Sequence, residues 1–279
     1  MEDRIGFMQG RLSPIINGLI QSFPWNNWRE EMVEAATLGL HKLEWTLDHE
    51  RLYENPLMTS TGQDEINKIM RDLNLSIPSL TGDCFMQAPY WKVDGAKREA
   101  RQRDFVAIID ACSTIGISQI VVPLVDDGAL ESEEEIKILR NFLLSLVSKF
   151  TKLGIRVIFE SDFAPQELAE FIATYPVALF GINYDIGNSA ALGFDVDKEF
   201  RHYGGRVTNV HVKDRLLGGT TIALGDGNAD FEAVFRQLSL VGYKGNFILQ
   251  TARAVDDEHA IVLRRYRDMI LDYMAYYGT

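Results

Sequence analysis

The chain has 279 residues, of which 46% are hydrophobic, and its formal net charge is −12. We expect one domain, 1–279, with a single large core, and an acidic surface that repels nucleic acid and anionic membranes. Because no apolar run approaches the ~18 residues of a membrane span and the start lacks an export signal, we expect a cytoplasmic protein.

Short apolar runs alternate with longer amphipathic stretches, which is typical of strand–helix units around a parallel sheet. Eight such units favour a closed (β/α)8 TIM barrel. An open doubly wound sheet is the alternative, but no glycine-rich phosphate turn follows the first strand. The predicted strands are 4–10, 42–47, 77–83, 119–124, 156–161, 179–185, 207–213 and 246–251. The predicted helical segments are 28–38, 64–73, 97–115, 133–153, 165–175, 195–203, 231–241 and 256–276.

Each of the last four predicted strands has a polar residue near its end: Glu160, Asp185, His211 and Gln250. Active sites of barrels gather at the carboxyl ends of the strands, so these side chains are expected to converge. Two carboxylates and one imidazole suit a divalent metal ion, Mn²⁺, Zn²⁺, Co²⁺ or Mg²⁺. The alternative is structural, with the carboxylates paired to rim cations and the histidine satisfied in the core.

The same residues and the turns around them resemble the xylose-isomerase-like TIM barrel superfamily, and within it the sugar phosphate isomerase/epimerase family. The matching pieces are Glu160, Asp-Ile-Gly-Asn at 185–188, His-Val-Lys-Asp at 211–214 and Leu-Gly-Asp-Gly at 224–227. The resemblance implies that the first residues of the 185–188 and 211–214 motifs ligate metal together with Glu160. It also implies two glutamates, on strands five and eight, acting as acid/base groups on opposite faces of an enediolate.

Gln250 departs from this pattern, because it stands where the family has the strand-eight glutamate. An amide oxygen can ligate a metal ion, so Gln250 stays in the predicted metal set, but it cannot accept a proton near neutral pH. Two-base epimerisation then needs a replacement from Asp83, Glu44, Lys213 or Asp214. Same-face isomerisation, with Glu160 as the catalytic base, needs none.

Other polar and aromatic residues at strand ends and in the following loops form the predicted substrate-binding set. Cationic side chains among them suit a phosphate or carboxylate, and aromatic rings suit the C–H face of a sugar. One of the carboxylates, Glu44, has an alternative role as a structural partner of Arg11. The set is Gln9, Arg11, Glu44, Asp83, Trp25, Trp91, Asn188, Lys213 and Arg215.

The leading hypothesis is a metal-dependent isomerase or epimerase of a sugar, sugar phosphate or related polyol ketone, acting through an enediolate. The alternatives are a metal-dependent polyol or keto-acid dehydratase, and a catalytically weakened sugar-binding barrel suggested by Gln250. The expected partner is a small carbohydrate. Nucleic acid is not expected as a partner, because the related apurinic endonucleases need several additional histidines as metal ligands and the remaining histidines here lie outside the predicted ligand set. The aromatic segment 273–277 suggests a homo-oligomer.

Overall fold

Eight parallel strands close into a barrel in the computed structural model, which describes residues 2–16, 18–254 and 257–279. Their order around the barrel follows the chain, each strand pairing with its neighbours and the first pairing with the last. The strands are β1 (Ile5–Met8), β2 (Lys42–Thr46), β3 (Ser76–Thr81), β4 (Gln119–Leu124), β5 (Arg156–Ser161), β6 (Phe180–Asp185), β7 (Val207–Val212) and β8 (Asn246–Leu249).

Helices connect successive strands and cover the outside of the barrel. They are α1 (Trp28–Thr37), α2 (Ser60–Leu73), α3 (Asp83–Gln87), α4 (Gly95–Ile115), α5 (Glu133–Ser145), α6 (Val147–Leu153), α7 (Pro165–Ala173), α8 (Ile186–Leu192), α9 (Val196–Tyr203), α10 (Phe231–Leu240) and α11 (His259–Tyr277). Short 3-10 turns lie at Glu2–Arg4, Leu52–Glu54, Pro56–Met58, Tyr90–Lys92, Asp126–Gly128 and Gly204–Arg206. Within the described ranges, no helix is long and apolar enough to cross a membrane.

The (β/α)8 prediction is confirmed, and β4 and β5 have the predicted bounds. The predicted helix 133–153 is wrong in one respect, because it divides at Leu146 into α5 and α6. Two short helices, α3 and α8, were not predicted; each begins directly at the carboxyl end of a strand or one residue beyond it. The predicted start of the last helix, Asp256, lies outside the described residues.

A polar layer lies inside the otherwise apolar barrel and supports its carboxyl end. Glu44, Ser79 and Asn209 are completely buried, and Asn183 is nearly so. Each lies on a strand whose neighbouring residues point outward to the helices, as the two-residue repeat of a strand requires. Glu44 accepts hydrogen bonds from Ser79 and Asn209, and Asn209 also donates to Asn183, so hydrogen bonds within this layer hold its side chains in place.

Candidate active site

Three buried side chains meet at the carboxyl end of the barrel, where β5, β6 and β7 lie side by side. Glu160 and His211 are the penultimate residues of their strands, and Asp185 is the last residue of β6. The Nδ1 atom of His211 lies 3.1 Å from Glu160 Oε2 and 3.9 Å from Asp185 Oδ2. One potential ligand atom from each residue lies within 4.8 Å of the others, so all three can face one cation.

Glu44 lies behind His211 and fixes the orientation of its ring. The carboxylate is 2.7 Å from the Nε2 atom of His211, and it accepts hydrogen bonds from Ser79 Oγ at 2.6 Å and Asn209 Nδ2 at 3.0 Å. The hydroxyl of Thr81 also donates to it. A carboxylate on the far nitrogen of a histidine sets which nitrogen is free to ligate a metal ion, here Nδ1.

Two amides hold the carboxylate of Glu160. Asn183 Nδ2 donates to Oε2 at 2.8 Å, and Asn188 Nδ2 donates to Oε1 at 2.7 Å. Asn188 is itself held by Asp185, whose Oδ1 accepts from its backbone N–H at 2.8 Å and so caps α8. Asn183 was missed from the sequence, although it lies two residues before Asp185 on the same face of β6. Both oxygens of Glu160 are therefore oriented before any ligand arrives.

Burial and close charges raise the pKa values of His211 and Asp185 and lower that of Glu160. Burial alone would lower the pKa of His211, but the charges and hydrogen bonds of Glu44 and Glu160 raise it to about 10. Burial would raise the pKa of Glu160, but His211 lowers it below its ordinary value. Burial dominates for Asp185 and raises its pKa, against the opposing charge of Lys213. With no cation bound, His211 is therefore an imidazolium beside a carboxylate at neutral pH.

Three cationic side chains from the predicted substrate-binding set line the cavity above these groups. Lys213 Nζ lies 3.2 Å from Asp185 Oδ2 and 3.1 Å from Asn188 Oδ1, which also accepts from Arg215 at 2.8 Å. Arg11 is buried and donates to the backbone oxygen of Ile20 at 2.8 Å. Arg11 is not among the hydrogen-bond partners that the described structure gives Glu44, so the suggested structural pairing of these two residues is wrong.

Gln250 follows β8 directly and lies at the edge of the same cavity. Its Nε2 donates to Gln21 Oε1 at 2.9 Å, and Gln21 Nε2 donates to Asp83 Oδ2 at 2.7 Å. The Oε1 atom of Gln250 is buried and has no hydrogen-bond partner within the described part of the chain. An unpartnered buried oxygen is costly unless a ligand satisfies it. Gln21, from the long β1–α1 connection, was not predicted.

The cavity has a volume of about 240 Å³, enough for a small molecule. Four carboxyl groups and three cations face it, together with apolar and amide side chains, so it suits a polar ligand more than a hydrocarbon. Its lining is Arg11, Ile20, Gln21, Thr81, Asp83, Met86, Gln87, Pro123, Val125, Asp126, Glu160, Asp162, Asn188, Lys213, Arg215, Thr221 and Gln250.

Besides Glu44, which lies behind His211, three further residues of the predicted substrate-binding set do not line the cavity. Trp91 is buried and donates from Nε1 to the backbone oxygen of Gly128 at 3.1 Å. Trp25 lies in a neighbouring groove, where the guanidinium of Arg51 stacks over its ring at 3.9 Å. Gln9 is completely buried and its Oε1 accepts from the backbone N–H of Thr46 at 3.1 Å. The structure brings none of these three to the lining of the cavity.

The Leu-Gly-Asp-Gly motif has a structural explanation. Asp214, which follows β7, is completely buried and accepts hydrogen bonds from the backbone N–H groups of Gly225, Gly227 and Ala229 at 2.9–3.0 Å. A Cβ at Gly227 would lie 2.1 Å from Asp214 Oδ1, so only glycine fits this close approach. The motif thus folds the β7–β8 connection back onto Asp214, whose carboxylate is engaged by backbone groups.

The fold and the site define the class of protein. The chain matches the model of the xylose isomerase-like TIM barrel family over residues 32–266, and it belongs to that family. The resemblance inferred from the motifs is therefore confirmed.

Among individual relatives, the chain is 25% identical to L-ribulose-5-phosphate 3-epimerase UlaE of Shigella sonnei, over 90% of this chain and 92% of that protein. Solved structures with the same fold include D-allulose 3-epimerase from Methylomonas sp., with a TM-score of 0.76, 15% identity, and coverage of 97% of this chain and 98% of the other. They also include 3-keto-D-glucoside 4-epimerase from E. coli, with a TM-score of 0.70, 16% identity, and coverage of 98% and 99%.

Proposed function

We propose that this protein is a metal-dependent isomerase or epimerase that moves a proton at the carbon next to the carbonyl of a small ketose or ketose phosphate. It is an enzyme of the sugar isomerase and epimerase class, to which its relatives belong by name. The observation that carries the finer proposal is the buried set of Glu160, Asp185 and His211, whose member Glu160 lines a polar cavity.

The donor set fits a divalent metal ion. Glu160, Asp185 and the Nδ1 atom of His211 offer two oxygens and one nitrogen, and the unpartnered Oε1 of Gln250 offers a fourth oxygen. This mixed set suits Mn²⁺, Zn²⁺, Co²⁺ or Mg²⁺. When bound there, such an ion supplies positive charge that polarises the oxygens of the substrate and lowers the cost of a negative enediolate.

Glu160 is the proton-abstracting base in this proposal. Its pKa lies below the ordinary value because His211 outweighs the effect of burial, so the carboxylate is ionised at neutral pH. The amides of Asn183 and Asn188 hold both of its oxygens in place. A base that is already oriented loses little entropy on reaching the transition state, and general base catalysis by such a group contributes about 10²–10⁴-fold.

The upper cavity provides groups for the hydroxyls or phosphate of the substrate. Lys213 and Arg215 both donate to the Asn188 oxygen, Arg215 also donates to the backbone oxygen of Gly219, and both line the cavity together with Arg11. Since these cations also have protein partners, they can exchange hydrogen bonds with an arriving ligand without being left unpaired. This arrangement supports binding of a polyhydroxylated ligand with a carbonyl, phosphorylated or not.

The test is exchange of substrate hydrogen with solvent. Purified protein, stripped of metal and then reloaded with Mn²⁺, is incubated in D₂O with L-ribulose 5-phosphate, L-ribulose and D-allulose, and deuterium at the carbon next to the carbonyl is measured by mass spectrometry. We expect Mn²⁺-dependent exchange that Glu160→Gln lowers by about 10² or more. Glu167→Gln, at an exposed position on α7, is the control. Equal exchange by stripped and reloaded protein, or none with any sugar, refutes the proposal.

A further inference from the structure

Gln250 cannot carry a proton, unlike the glutamate that the family has at this position. Two-base epimerisation therefore needs another proton carrier in the cavity. Besides Glu160, the carboxyl groups that line the cavity are Asp83, Asp126 and Asp162. The last two residues are exposed, whereas Asp83 is buried, with 8% of its surface accessible. Of the groups suggested from the sequence, Glu44 is enclosed beneath His211 and does not line the cavity.

Asp83 lies on a different side of the cavity from the metal-binding set. It is the first residue of α3, two residues beyond the end of β3, and β4 separates it from Glu160 on β5. Pro123 and Val125, from β4 and the loop after it, also line the cavity. A ligand that fills the cavity therefore has one carboxyl group on each of two sides.

A chain of hydrogen bonds connects Asp83 to Gln250, which occupies the position of the family's second glutamate. Gln21 donates to Asp83 Oδ2 at 2.7 Å, and the oxygen of the same Gln21 amide accepts from Gln250 Nε2 at 2.9 Å and from Arg11 at 3.1 Å. Over the described ranges, Asp83 Oδ1 accepts no hydrogen bond from protein. One oxygen of Asp83 is thus held by the chain, and the other is left for a ligand.

We propose that Asp83 is the second acid/base group of the site, so that the enzyme is a two-base epimerase in which Gln250 and Gln21 position Asp83. This inference rests on the proposed function. In one direction Glu160 removes the proton from the carbon next to the carbonyl, and the electron pair enters the enediolate. Protonated Asp83 then gives its proton to the same carbon from the other side. The two carboxyl groups end with exchanged protonation states, and exchange with water restores them.

The environment of Asp83 suits a group that must both donate and accept a proton. Burial, and then the charge of Asp48, raise its pKa to about 7, with Glu160 adding to the rise and Gln21 and Arg11 opposing it. At neutral pH both forms are populated, which is the condition under which an acid/base group works in either direction.

The discriminating experiment separates inversion from exchange. Asp83→Asn keeps an oxygen acceptor for Gln21 but cannot carry the proton. In D₂O we expect epimer formation to fall about 10²-fold or more. Deuterium should still enter the epimer whose proton faces Glu160, at a rate near that of the unaltered enzyme. For the other epimer, exchange should be lost. Glu160→Gln should lower exchange of the first epimer, and Asp127→Asn, exposed and outside the cavity lining, is the control.

A double variant that moves the carboxyl group from position 83 to position 250 tests the proposed role directly. Adding Gln250→Glu to Asp83→Asn returns a carboxyl group to the strand-eight position beside Gln21, and we expect epimer formation to recover while a Gln166→Glu addition gives no recovery. Asp83→Asn with normal epimer formation overturns the inference and leaves the proposed function intact. Equal loss of exchange for both epimers, in protein that still binds Mn²⁺, also overturns it, because a binding role would do that. No exchange by the unaltered enzyme overturns both.

Discussion

Metal binding at His211 should release a proton, and the structure sets the size of the effect. Without metal, the pKa of His211 is raised to about 10, chiefly because Glu44 and Glu160 outweigh burial. A cation at Nδ1 must displace the proton there, so the apparent association constant should rise about tenfold per pH unit between pH 6.5 and 8.5. At pH 7, about three units below the pKa, the competition costs about 4 kcal/mol.

Glu44→Gln is the perturbation that tests this reasoning. Removing the charge lowers the pKa of His211, so the pH dependence of metal affinity should flatten at a lower pH than in the unaltered protein. The affinity reached at the plateau should itself fall about 10–100-fold, because the group that orients the ring is weakened. Glu65→Gln, which breaks the exposed Arg29 ion pair, is the control and should change neither quantity.

Calorimetric titration with Mn²⁺ in buffers of different ionisation enthalpy measures both the affinity and the number of protons released. The expected result is close to one proton released per ion at pH 7 for the unaltered protein, and a smaller number for Glu44→Gln. If the unaltered protein binds Mn²⁺ with no proton release and with affinity independent of pH, then Nδ1 of His211 is not the ligand atom and the assignment of the metal set is wrong.

Two further predictions concern the charge and the packing around the site. Gln250→Glu adds an anionic oxygen donor, so Mn²⁺ affinity should rise about tenfold or more, whereas Gln166→Glu on the exposed face of α7 should leave it unchanged in the same titration. Gly227→Ala places a Cβ 2.1 Å from Asp214 Oδ1 and should lower the free energy of unfolding by about 1–3 kcal/mol. Gly205→Ala, with no atom near its Cβ, is the control in urea unfolding, and equal losses in the two variants would contradict the packing argument.

The strands and the strand-end polar residues were predictable because each depends on local sequence. A buried parallel strand needs an unbroken apolar run, and the polar residue that ends it stands out, as Glu160 and Asp185 do. The partner of Glu44 was not predictable, because which polar groups meet inside a barrel depends on how the strands are staggered around it. A strand pairing of β2 with β3 brings Ser79 opposite Glu44, and only the closed barrel brings His211 to the same carboxylate.

The directions of loop side chains were not predictable, for a different reason. Trp91 and Gln21 both lie in connections after strands, where nothing in the local sequence decides which way the side chain points. The indole of Trp91 turns inward to donate to the backbone of Gly128, while Gln21 reaches across the cavity mouth between Asp83 and Gln250. An aromatic ring is the stronger signal in a sequence, but here the less conspicuous amide joins the two sides of the site.

Gln250 and the proposed role of Asp83 are linked through the charge of the cavity. A glutamate at position 250 would lie beside Gln21, two hydrogen bonds away from Asp83, in a cavity that already raises the pKa of Asp83 to about 7. A second carboxylate there would raise that pKa further, since like charges at short range disfavour ionisation. The protonated form of Asp83 would then be favoured at neutral pH, and Asp83 would be a weaker proton acceptor. The neutral amide at position 250 therefore keeps Asp83 able to do both, which is why we interpret Gln250 as part of a rearranged acid/base pair rather than as the loss of one.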